Sequence, residues 1–142
     1  MRAQAAFEYL AIVGIVLAFL IPIWLYVTSL QNQTATQLSL SYAKNAADTI
    51  TDKADLVFSQ GPPARIETQV YIPKNVVSVE ILDGPSGSTG STIVFHIRVG
   101  TQISDVSSTS NAQLQGSVPA KEGKYRISIE AADSHVEITE IT

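Results

Sequence analysis

Hydrophobic and polar positions divide the chain into three successive patterns. From Tyr9 to Val27 every residue is uncharged and nearly all are apolar, a run of about the ~20 residues a helix needs to cross a bilayer core. The second pattern is a helical stripe. Ala35, Leu38, Tyr42, Ala46, Ile50, Ala54, Val57 and Phe58 recur mostly at spacings of three and four, which places them on one face. Lys44, Asn45, Asp48, Asp52 and Asp55 occupy the other faces and are expected in solvent. Together these two patterns predict a helix from about Gln4 to Phe58, ended by Gly61-Pro62-Pro63. Pro22 lacks an N–H and is expected to kink or melt it locally. The polar, low-propensity stretch Gln31–Gln37 is a second expected weak point.

After the prolines the period becomes two. Ile66, Thr68, Val70 and Ile72 alternate with polar residues; Val77, Val79 and Ile81 are expected inward on a second strand, and Ile93, Phe95, Ile97 and Val99 on a third. Weaker strands are expected over 102–106 and 113–118, and clearer ones over 125–131 and 135–141. The Gly/Ser-rich run Gly84–Ser91 reads as a loop, as do the Ser/Thr-rich stretches Ser86–Thr92 and Ser104–Ser110, which also offer hydroxyls for O-linked sugar. The expected fold class is α+β: a long N-terminal hydrophobic helix followed by an antiparallel sandwich or barrel-like domain. The domain boundaries are a helix over 4–60, divided into a membrane or filament-core part (4–30) and an amphipathic part (31–60), and a β-rich domain over 61–142.

Composition narrows the function. The 142 residues carry a net charge of −4, and no Lys or Arg lies between Arg2 and Lys44, which argues against nucleic-acid binding. The chain has no cysteine, which excludes disulfides and thiolate metal sites. Arg2 as the flanking cation predicts a cytoplasmic N-terminus, with Trp24 and Tyr26 at the outer interface. His96, expected exposed, and His135 are the two histidines. Neither they nor Asp105, Glu130 and Asp133 show metal-ligand spacing. No nucleophile motif or phosphate loop appears, so no catalytic residue, metal or cofactor is expected.

The opening residues carry a resemblance. Arg2-Ala3, then Gln4-Ala5-Ala6-Phe7-Glu8-Tyr9-Leu10 and an apolar run, resemble the N-terminus of archaeal type IV pilins. The resemblance implies a leader over residues 1–3, cut between Ala3 and Gln4 by a prepilin peptidase that leaves the apolar helix on the mature protein. Glu8 is then the fifth mature residue. It also implies export to a cell-surface filament, with a pilus assembly platform and identical subunits as partners and the cytoplasmic membrane as host before assembly.

Glu8 is the first candidate site. A charged group at the centre of a membrane helix costs about 2.5–3.5 kcal/mol, less near its end. After cleavage the nearest cation is the new α-amino group of Gln4. Pairing between Glu8 of one subunit and that amine on another would neutralise both charges and set the axial register, the role the resemblance also implies. Cyclisation of Gln4 to a lactam would remove the amine. Ala11, Gly14 and Ala18 are candidate helix-packing positions, since small residues at spacings of three and four let helices approach closely in lipid. Asn32-Gln33-Thr34 is an N-glycosylation sequon just outside the apolar segment. The expected function is a structural subunit of a type IV pilus-like filament, with surface adhesion as the first expected outcome and motility or DNA capture left open. The alternatives are a single-span anchored binding module of the same topology and a minor pilin.

Overall fold

The computed structural model describes residues 2–84 and 90–141, with side chains from Ala6 onward. Helix α1 spans Arg2–Gln60 and is followed by seven strands: β1 (Arg65–Ile72), β2 (Val76–Asp83), β3 (Ser91–Val99), β4 (Gln102–Ser110), β5 (Leu114–Gly116), β6 (Gly123–Ala131) and β7 (Val136–Ile141). The chain thus has an α+β layout, a long apolar N-terminal helix ahead of predominantly antiparallel sheets. It forms two compact units, one up to Gln37 and one from Leu38 onward.

In the first unit, helical structure continues through Pro22 and through Gln31–Gln37 without interruption. At the second expected break the hydroxyls turn back onto the helix. Thr34 Oγ1 donates to the Leu30 carbonyl at 2.9 Å and Thr36 Oγ1 to the Asn32 carbonyl at 3.0 Å. These polar groups are satisfied without leaving the helical conformation.

In the second unit, α1 ends where Gly61 takes a φ of 71° and donates its N–H back to Val57 and Phe58 at 3.1 and 3.2 Å. A left-handed residue at this position costs glycine little. The strands form a four-stranded sheet in the order β1-β6-β7-β5 and a three-stranded sheet in the order β2-β3-β4. One departure from the expected antiparallel pattern is β5, which runs parallel to β7. Gly116 permits it: its φ is 115°, and a Cβ there would collide with the Ile138 carbonyl oxygen.

One buried cluster joins α1 to both sheets. It contains Ile50 and Val57 from the helix, Val70 and Ile72 from β1, Ile93, Phe95 and Ile97 from β3, and Ile127, Ile129, Val136 and Ile138 from β6 and β7. The alternation expected for β1 is present, with Val70 and Ile72 buried and Gln69 and Tyr71 exposed. Val77 is exposed instead of inward, because the β2–β3 register shifts between Val76 and Ser78; this irregularity resets the parity of β2. Val79 and Ile81, beyond it, do pack on the core.

The helical stripe also differs from expectation. The buried line is Ala43, Ala46, Ala47, Ile50, Thr51, Ala54 and Val57, while Leu38, Tyr42 and Phe58 stay largely exposed. Alanine lets the helix axis approach the sheets closely, and Tyr42 is rotated off that line. Its ring instead meets Tyr71 of β1 edge-on, with centroids 5.5 Å apart.

Candidate functional site

Two groups of residues are candidates: the apolar first part of α1, and a polar seam between α1 and β4.

From Ala6 to Leu30 almost every side chain is exposed, including Phe7, Phe19, Trp24 and Tyr26. The helix is long and apolar enough to cross a membrane, and none of its most apolar stretch is buried within the chain. A helix apolar on all faces must be covered by something else. Glu8 is exposed near its start. Among the described residues no cation lies within ion-pair distance of it; the side chains of Arg2, Ala3 and Gln4 lie outside those described. Gln4 sits one turn before Glu8 in the helical backbone.

Glu8, Ala11, Gly14, Ala18 and Pro22 follow one another at spacings of three and four within α1, so they share one face. Nothing lies within 4 Å of where a Gly14 Cβ would stand. The acid and the small residues therefore form a single line open to a neighbour. Next to Pro22 an apolar notch is lined by Leu20, Ile21, Ile23, Trp24, Leu25 and Val27.

Asn32 is exposed and helical. The sequon hydroxyl on Thr34 donates to the Leu30 carbonyl at 2.9 Å.

The seam was not legible as such in the sequence, where Lys44, Asp48 and Asp55 were expected in solvent and Ser104–Ser110 in a loop. Lys44 is exposed as expected, and Asp48 and Asp55 are only partly buried; the loop expectation is corrected. Ser104–Ser110 lies in β4, and Ser91 and Thr92 open β3, because these short polar side chains alternate like any strand residues. Ser108 Oγ donates to Asp48 Oδ1 at 2.6 Å and lies 3.0 Å from the Thr51 hydroxyl. Lys44 Nζ donates to Asp48 at 2.7 Å and to the Ser107 carbonyl at 2.9 Å. Asp55 accepts from Ser110 Oγ at 2.5 Å and from Asn111 twice. The hydrogen bonds from Lys44 and then Ser108 hold the Asp48 carboxyl below its usual range, against a smaller opposing effect of burial. The signal available was the joint parity of Ser108 and Ser110 with Val106, facing Asp48, Thr51 and Asp55 at spacings of three and four.

His96 is half-buried, not exposed as expected. Its Nδ1 lies 2.6 Å from Asp105 Oδ1 and its Nε2 lies 3.7 Å from Glu80 Oε2, so it ties β3 to both neighbouring strands. Among the described residues no group of three or more His, Cys, Asp or Glu side chains is arranged to hold a metal.

No protein-family model, curated protein or solved structure matches the chain.

Proposed function

We propose that the chain is a structural subunit of an extracellular type IV pilus-like filament. The apolar helices bundle into its core and the β-rich units form its outer layer. The observation that carries this reading is the exposed, all-round apolar segment of α1 with an acid at its start. Before assembly the bilayer covers that segment; afterwards neighbouring copies do. Lipid tails are already apolar, so close packing along the Ala11, Gly14 and Ala18 line supplies much of the drive. A prepilin peptidase cutting between Ala3 and Gln4 prepares the subunit, an assembly platform extrudes it, and the role is structural instead of catalytic.

The test is mass spectrometry of filaments sheared from cells. The chain should be abundant in them and should start at Gln4 or its cyclised form. A chain confined to the membrane fraction with Arg2 still attached would instead be an anchored module, and the reading would fail.

A further inference from the structure

On the outer face of the four-stranded sheet, apart from the Arg65–Glu67 ion pair, the cations of β6 stand at one end and the carboxylates of β6 and β7 at the other. Lys124 and Arg126 of β6 project from one end, opposite Tyr71 and Gln69 of β1. Lys121 and Lys74 lie at the adjoining turn, where Lys74 is 3.9 Å from Glu122. Glu130 of β6 and Glu137 of β7 project from the other end, directly opposite each other in the register. Lys124 and Glu130 are six residues apart on one strand, about 20 Å at ~3.3 Å per residue.

These charges are not neutralised internally. Arg65 is the register partner of Glu130, yet its guanidinium pairs with Glu67 at 3.2 Å. Among the described residues Lys124, Arg126, Glu130 and Glu137 form no ion pair, and all four are exposed. Like charges directly opposite each other disfavour strand pairing, and Glu130 faces Glu137 on one side, with Arg65 on its other side. A cation from outside relieves the facing carboxylates, and the same face carries two unpaired cations one translation away.

We propose that this face is a head-to-tail contact between neighbouring copies, in which Glu130 and Glu137 of one subunit meet Lys124 and Arg126 of the next. The occupant is a second copy because each end of the face is complementary to the other end of the same face. A contact of this heterologous kind repeats without closing when its rotation does not form a ring, which suits a filament. The proposal rests on the filament reading above. It adds a contact between the β-rich units, separate from the helical core.

The experiment compares sheared-filament yield, and its dependence on NaCl, for cells expressing K124E/R126E, cells expressing E130K/E137K, and cells expressing both. Each variant alone places like charge on like charge and should lower the yield by about tenfold or more. Co-expression should restore it, because a subunit negative at both ends alternates with one positive at both ends. Wild-type filaments should also loosen as salt rises, since exposed pairs are screened. Single variants that assemble like wild type would overturn the contact and leave the filament reading intact. Single variants that fail without rescue by co-expression would overturn it too, since the four residues would then serve folding. Wild-type cells without filaments of this chain would overturn both.

Discussion

Asp55 holds Asn111 at two points: its Oδ1 accepts the Asn111 backbone N–H at 2.9 Å and its Oδ2 accepts the side-chain amide at 3.0 Å. Ser110 adds a third hydrogen bond, to Oδ1. One helical carboxylate thereby fixes the end of β4 and the turn beyond it. Asp55→Ala removes an acceptor from three donors, and hydrogen bonds to charged groups contribute about 1.5–3 kcal/mol each at most. The expected loss is about 2–3 kcal/mol of stability, read by denaturant unfolding. A loss below a few tenths would mean that water replaces the carboxylate freely.

Asp48 makes the seam sensitive to acid. Its carboxyl is held below its ordinary value by Lys44 and Ser108, so the folded state binds this proton less readily than the unfolded chain. The stabilisation is therefore complete above the unfolded value near 3.8 and is lost as pH falls through the lower folded value. Thermal melting followed from pH 6 down to about pH 2 should show a steeper acid limb for the natural chain than for Asp48→Asn. Identical acid limbs would contradict it.

The alanine line of α1 sets how closely the helix lies on the sheets. Ala47 is fully buried, and Ala47→Leu should destabilise by about 1–3 kcal/mol through overpacking. Leu38 belongs to the stripe read from the sequence but is half exposed, and Leu38→Ala should change stability by only about 0.5 kcal/mol. The reverse order of effects in chemical denaturation would restore the stripe expected from sequence.

Glu8 carries the assembly prediction. If it pairs with the Gln4 amine of a neighbour, Glu8→Ala leaves that amine uncompensated in an apolar core, where breaking a buried pair costs about 3–5 kcal/mol. Filament yield should collapse while the chain still reaches the membrane and is cut at Gln4. Filaments of normal abundance and axial repeat, seen by electron microscopy, would rule the pairing out.

The residues that sequence reading located well are those whose signal is local. The uncharged run from Tyr9 to Val27, the stop at Gly61-Pro62-Pro63, and the alternation in β1 and β3 each depend on neighbours a few positions apart. Periodicity records which face of an element is apolar, and that is a one-dimensional property. The acid at the head of the apolar run is legible for the same reason, since its cost follows from the residues beside it.

Tertiary structure alone decided the partners. Asp48 and Ser108, and Asp55 and Ser110, are 60 and 55 residues apart in sequence, and an isolated aspartate on a helix reads as solvated until a strand is laid beside it. The parallel pairing of β5 with β7, the register shift at Val77 and the separation of charge on the outer face of β1, β6 and β7 likewise arise from how strands are set against one another. Periodicity along one strand determines its two faces; it carries no information about which strand lies next to it, or in what register, because those are settled by packing over the whole core.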